Sequence, residues 1–194
     1  MELLAGTGLR ISEALALERR HLQLDGPRAA IRVRRALVRG RVEPPKTRHG
    51  RRDVPLSSGL VDRLRAHLAD RPDEAEALVF ANVSGNALDP DNLRRRMLKP
   101  LVGEAGAGWA AFHTFRHTFA SLQLAGGVNV VQLSRALGHH SASFTLARYV
   151  HLLEGDAAPA LDLAAALAGG NNGATHPTDL DRTQSEHEAT DAAS

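Results

Sequence analysis

The sequence predicts an α+β fold, mainly α-helical with a small three-stranded antiparallel sheet. Apolar residues recur at helical spacing through most of residues 57–153, whereas residues 29–56 hold short alternating stretches bounded by proline and glycine. Beyond Gly169-Gly170 the composition turns to Asn, Gly, Thr, Asp, Glu and Ser with almost no large apolar side chain. Such a segment cannot bury enough surface to offset its ordering entropy. The expected organisation is therefore a folded domain over residues 1–168 and a disordered, acidic tail over 169–194.

In chain order, Ile11, Leu15 and Leu17 predict a helix from Ile11 to about Arg19, entered through the break at Thr7-Gly8. Extended chain follows over Ala29–Val38, at Val42-Glu43 and over Arg52–Leu56, with a turn around His49-Gly50. Prolines 44, 45 and 55 favour short or edge strands. Leu60, Val61, Leu64 and Leu68 then mark a helix that Ser57-Ser58 can cap. Asp89-Pro90 opens another through Leu93, Met97 and Leu98, expected to break near Pro100. Thr114–Leu124 closes at Gly126-Gly127, and Asn129 caps a helix through Leu133 and Leu137 that Gly138 ends. The last two helices are expected over about Ser143–Leu153 and, rich in alanine, Ala157–Ala168.

Composition removes whole classes of chemistry. With 194 residues and no cysteine, disulfides, thiolate metal sites and cysteine nucleophiles are excluded. No long uncharged apolar run and no signal peptide follow Met1, so the expectation is a cytoplasmic protein without a membrane partner. The net charge of +2 hides an asymmetry: from Glu154 onward eight acids face Arg182 alone, leaving 23 bases and 14 acids before them. Lys46 and Lys99 are the only lysines. An arginine-rich body suits a polyanion, because guanidinium forms bidentate bonds to phosphate, although arginine replacing lysine throughout a genome would give the same count.

Five places carry polar residues within apolar patterns. Arg10 sits where a loop enters a helix, with Glu13 at i,i+3 able to orient it, as an ordinary helix-start ion pair would. Lys46 lies in the basic turn Pro45-Lys46-Thr47-Arg48-His49-Gly50-Arg51-Arg52, which could equally be a solvated hairpin tip. In Phe112-His113-Thr114-Phe115-Arg116-His117, His113 and Arg116 share a helix face, an arrangement suited to holding an anion while moving a proton. His139 follows Gly138 at a helix elbow, where a histidine is also a common cap. Tyr149, the only tyrosine, stands beside the stripe Leu146, Val150 and Leu153 as a rim residue. Its phenol would be a nucleophile only where cations stabilise the phenolate.

Taken in order, the words TGLRISE, PKTRHGRRDVPL, HTFRHTFAS, LGHHS and TLARYVH resemble the catalytic domain of tyrosine recombinases, the phage-integrase and Xer-type family, over about residues 4–153. The resemblance implies site-specific DNA recombination or integration through a covalent 3′-phosphotyrosyl intermediate, with no cofactor and no metal. It makes Tyr149 the nucleophile and Arg10 and Arg116 the clamps on the non-bridging oxygens. Lys46 would protonate the leaving 5′-oxygen, His113 would be the general base or proton shuttle, and His139 would bind phosphate. Glu13 and His117 match supporting positions behind these groups, and Arg48, Arg51 and Arg52 are expected contacts to the DNA backbone.

The partners implied are double-stranded DNA at the nucleoid, further copies of the chain forming a tetramer on DNA, and accessory DNA-bending proteins. Family members carry a full helix before TGLR and a DNA-clamping domain upstream, whereas only Met1–Gly6 precede it here. The expectation is a chain shortened on its N-terminal side, with Leu4, Leu9 and Leu15 short of apolar partners and an intact site that does not recombine unaided. Three other readings stand beside this one. They are a type IB topoisomerase-like nicking and closing activity, a non-catalytic DNA-binding remnant with a helix-turn-helix over Ala120–Leu137, and a zinc hydrolase using His113, His117 and His139.

Overall fold

A computed structural model describes residues 1–45 and 48–149. Lys46, the Ala157–Ala168 segment and the 169–194 tail lie outside the described residues. The chain opens with α1, Glu2–Thr7, a helix that the apolar spacing did not announce. Gly8 closes it in the left-handed region at φ 64°, and a Cβ there would stand 2.5 Å from Phe119 Cδ1. Only glycine fits both the turn and the close approach. Leu4, Leu9 and Leu15 are all buried, contrary to the expectation that they lack apolar partners, because α1 packs on the later helix that carries Phe119.

Helix α2 is only Ile11–Ala14, not the longer helix expected to Arg19. Leu15, Ala16 and Leu17 are buried in succession, which no single helix face allows. The chain instead leaves the helix to bond residues 77–79, with Val79 N–H donating to Leu17 O at 2.8 Å and Arg19 N–H to Ala77 O at 2.9 Å.

The expected sheet is present but divided. Strands β1 (Leu22–Gln23), β2 (Ala30–Val33) and β5 (Arg52–Pro55) form the three-stranded antiparallel sheet in the order β1-β2-β5. The stretch expected to run on to Val38 turns away as β3 (Ala36–Val38), which pairs with β4 (Arg41–Glu43) in a separate hairpin. Ile31 stands opposite Val54 and Val33 opposite Arg52, all four on the covered face of the sheet.

Helix α3, Ser58–Leu68, begins where Ser57 Oγ accepts from Leu60 N–H, and it buries Val61, Leu64 and Leu68 as its spacing predicts. Helix α4, Pro90–Leu93, is capped by Asp89 and does not break at Pro100. Residues Arg94–Leu98 form a wider π turn, in which Lys99 N–H reaches Arg94 O, and α5 continues over Lys99–Glu104. The wider turn absorbs the proline, whose ring would strike the i−4 carbonyl of a regular α-helix.

The last three helices build the second apolar cluster. They are α6 (Phe112–Ala125), α7 (Val130–Leu137), which Asn129 caps and Gly138 ends at φ 68°, and α8 (Ala142–Tyr149). Ala120, Leu124, Leu133, Leu137 and Tyr149 are packed together. Tyr149 is therefore a core residue at 3% exposure and not a rim residue, while Leu146, expected on the apolar stripe, is 41% exposed. Among the described residues no helix is long and apolar enough to cross a membrane.

Candidate active site

Arg10 stands at the N-terminus of α2 with extended backbone, so its own N–H is available to a side chain. Glu13 takes that bond at 2.8 Å through Oε2 and accepts from Arg10 Nη1 at 3.0 Å through Oε1. The guanidinium of Arg10 remains 41% exposed. Glu13 itself is buried, and Arg52 reaches it from β5 with both prongs, Nη1 to Oε1 and Nη2 to Oε2, each at 2.9 Å. Burial alone would raise the Glu13 pKa, but the Arg52 and Arg10 bonds outweigh it and hold the carboxyl below its ordinary value.

Arg52 also donates through Nε to Ala136 O, at the end of α7, at 2.6 Å. The expectation that Arg52 contacts the DNA backbone is therefore corrected. Its guanidinium is buried and committed to Glu13, Ala136 and the Gly50 carbonyl. The period-two alternation of β5 carried the signal, since Arg52 shares its parity with Val54 and so faces inward.

Arg116 lies one turn into α6 and is 1% exposed. It spans two backbone carbonyls, donating from Nη1 to Gly8 O and from Nη2 to Leu137 O, both at 2.6 Å. These bonds join the loop before α2 to the end of α7. Burial, and then the charge of Arg10, bring the Arg116 pKa down to about 9, which leaves the guanidinium a cation at neutral pH. Beside it a cavity of about 230 Å³ is lined by Arg10, Ser12, His113 and Arg116 together with Leu9, Ile11 and Phe112.

The aromatic groups follow on α6 and α8. His113 is exposed at the start of α6, and its ring meets that of His117 edge-on, with centroids 4.3 Å apart. His117 Nδ1 in turn lies 2.9 Å from the Tyr149 hydroxyl. Burial and the Arg116, Arg148 and Arg10 charges lower the His113 pKa, while burial, His113 and Arg148 do the same for His117. Burial pushes the Tyr149 phenol up, with Arg116 and Arg148 acting against it.

His139 is held through Nδ1 by Thr145 Oγ1 at 2.7 Å, a fully buried hydroxyl that no sequence motif singles out. Burial, followed by Arg116 and Arg10, brings the His139 pKa down to about 4, so its ring is neutral at physiological pH.

Arg10, His113, Arg116, His139 and Tyr149 thus come together with Glu13 and His117. Arg48 and Arg51 are exposed on the turn before β5, and Lys46 lies outside the described residues. Among the described residues no three His, Asp or Glu side chains are grouped so as to hold a metal ion. The arrangement can hold a tetrahedral anion between guanidiniums and bring a phenol toward it.

The phage integrase family model matches residues 1–155, and the chain belongs to that family. Among curated relatives, it is 35% identical over 147 residues to tyrosine recombinase XerC of Rhodospirillum centenum, covering 74% of this chain and 39% of that protein. It is 33% identical over 159 residues to tyrosine recombinase XerD of Rhizobium meliloti, covering 79% and 46% respectively. The chain thus spans less than half the length of these relatives. The fold is also that of the Tn1549 transposon integrase in complex with circular intermediate DNA, at a TM-score of 0.66 and 24% identity over 86% of this chain and 57% of that one. XerA recombinase gives a TM-score of 0.59 at 22% identity, covering 88% and 55%.

Proposed function

We propose that the chain cleaves and rejoins DNA at specific sites through a covalent 3′-phosphotyrosyl intermediate. The Tyr149 oxygen attacks phosphorus, the bond from phosphorus to the 5′-oxygen breaks, and a 5′-hydroxyl leaves. The reverse attack, from the same or another duplex, restores the phosphodiester. The bond energy stays in the phosphotyrosyl link, so rejoining needs no nucleotide.

Arg10 and Arg116 neutralise the non-bridging oxygens as charge builds on them, the task divalent metals take in many nucleases. Arg10 spends one N–H on Glu13 and is otherwise exposed toward the cavity. Arg116 spends two of its five N–H groups on carbonyls, which fixes the plane of the remainder. His139, held neutral by its surroundings, offers Nε2 to a phosphate oxygen, and Lys46 protonates the departing 5′-oxygen. Arg48 and Arg51 contact the duplex backbone. The partners are duplex DNA, three further copies of the chain and DNA-bending proteins, acting in the cytoplasm at the nucleoid.

The observation that carries this reading is the meeting of side chains distant in sequence. Arg10 and Arg116, 106 positions apart, line one cavity with His113, and the Tyr149 hydroxyl lies 2.9 Å from His117, the neighbour of Arg116 on α6. Family membership supports the same assignment. Covalent capture tests it. The chain is incubated with nicked duplexes of randomised sequence, and DNA that stays with the protein under denaturing conditions is recovered and sequenced. The expected result is an adduct that Tyr149→Phe abolishes. Reversible binding without any adduct would overturn the proposal.

A further inference from the structure

We infer that His117, and not His113, takes the phenol proton of Tyr149 as the oxygen attacks phosphorus. This deepens the function proposed above and rests on it. The motif position of His113 makes it the expected base, but the fold sets the two imidazoles to different tasks.

His117 Nδ1 is 2.9 Å from the Tyr149 oxygen, and it is the hydrogen-bond partner of that hydroxyl among the described residues. The two rings meet edge-on at 5.6 Å, which keeps the phenol oxygen against the imidazole edge and not over its face. His113 is in edge contact with the His117 ring and makes no hydrogen bond to the phenol among the described residues. It instead lines the cavity with Arg10 and Arg116, the two guanidiniums to which the proposed function assigns the phosphate. His113 therefore serves the phosphate and His117 serves the nucleophile.

The proton inventory agrees with this division. A neutral imidazole carries one N–H. With the Tyr149 O–H donating to Nδ1, the His117 proton rests on Nε2, and Nδ1 is free to accept. The groups facing His117 are His113 and Arg116 from its own helix and Arg148 and Tyr149 from α8. None is an acid, so nothing there charges the ring before the phenol does. The phenol is itself pushed up by burial, so little phenolate exists beforehand and a base within bonding distance is required.

In the step, the O–H bond of Tyr149 breaks toward His117 Nδ1 while the bond from oxygen to phosphorus forms. The 5′-oxygen departs with a proton from Lys46. In rejoining, the His117 imidazolium returns its proton to the Tyr149 oxygen as that oxygen leaves phosphorus, while Lys46 recovers its own from the attacking 5′-hydroxyl.

His117→Asn separates a base from a mere holder of the tyrosine, because an amide oxygen near the Nδ1 position accepts a hydrogen bond but takes up no proton. Adduct formation is measured against pH on the duplexes that the unaltered protein captures, beside His113→Asn. At neutral pH the His117→Asn rate is expected to fall by about 100-fold. It should then rise about tenfold per pH unit as hydroxide replaces the base, while the unaltered protein stays flat. Unaltered rate and pH profile in His117→Asn, or the alkaline rise appearing in His113→Asn instead, would overturn the inference.

A second readout needs no DNA. In ¹⁵N spectra of the free protein, His117 Nδ1 should resonate as an unprotonated acceptor and shift in Tyr149→Phe. A protonated Nδ1 overturns the inference by itself. Failure of the unaltered protein to form adduct overturns the function beneath it, with the nitrogen spectrum still read separately.

Discussion

Arg52 and Glu13 meet across 39 residues of sequence as a buried, two-pronged ion pair, with both N–O distances 2.9 Å. Glu13 is also the residue that orients Arg10, so the pair connects β5 to the exposed guanidinium of the site. Truncating one partner leaves the other charge buried without compensation, which costs about 3–5 kcal/mol. Glu13→Ala should lose that much in urea unfolding. Glu13→Gln should lose less and retain the fold, since the amide oxygen still accepts one prong.

Acid should weaken the fold in two stages. His139 has a folded pKa of about 4 against an ordinary 6.5, so the unfolded chain binds its proton first and stability falls as pH drops through that interval. Glu13 acts lower on the scale: its contribution is present above the ordinary carboxylate pKa of 4.5 and is lost as pH falls further, through its lowered folded value. Thermal melts from pH 7 downward should show a first decline above pH 4.5, shared with His113 and His117, that His139→Asn reduces, and a second below it that Glu13→Gln reduces. An NMR titration of His139 with a midpoint near its ordinary 6.5 would contradict the first stage.

Gly8→Ala combines a left-handed backbone at φ 64° with a Cβ 2.5 Å from Phe119 Cδ1 and 3.0 Å from Leu137 Cδ2. Strain and overpacking together should destabilise by about 2–4 kcal/mol. The same residue's carbonyl holds Arg116, so the variant should also lower adduct formation at temperatures where it remains folded. Circular dichroism melts and covalent capture measure the two effects.

Arg48 and Arg51 are exposed on the turn before β5, whereas Arg52 is not. Every phosphate left without its arginine should reduce the slope of log affinity against log salt by about 0.9. Fluorescence anisotropy on duplex DNA should therefore give Arg48→Gln and Arg51→Gln shallower slopes with unchanged melting. Arg52→Gln should change melting first.

Arg116 distinguishes charge from shape. Its two prongs reach Gly8 O and Leu137 O at once, and a lysine ammonium at that point can reach only one of them. Arg116→Lys should lose about 2–3 kcal/mol of stability, because one buried carbonyl is then left without a donor. It should also lose most adduct formation, although the net charge is unchanged. Retained cleavage in a folded Arg116→Lys protein would show that the second prong has no part in orienting the site.

Features that act over one helical turn or one strand are legible in the order of the residues. Ser57, Asn129 and Gly138 mark helix ends because capping joins residues two to four apart, and the helices they bound stand where the apolar spacing puts them. The order of Arg10, His113, Arg116, His139 and Tyr149 was legible for the same reason, each lying in a short word.

Which of these groups touch depends on how the elements pack. Arg116 reaches back 108 positions to Gly8, Arg52 reaches 84 forward to Ala136, and Tyr149 meets His117 across 32. Packing also sets the early end of α2, the separate β3–β4 hairpin and the passage of a helix through Pro100, each a local preference yielding to a distant partner or to a wider turn. Periodicity reports which face a side chain takes. The bond it makes there depends on the element packed opposite, which no neighbouring residue encodes.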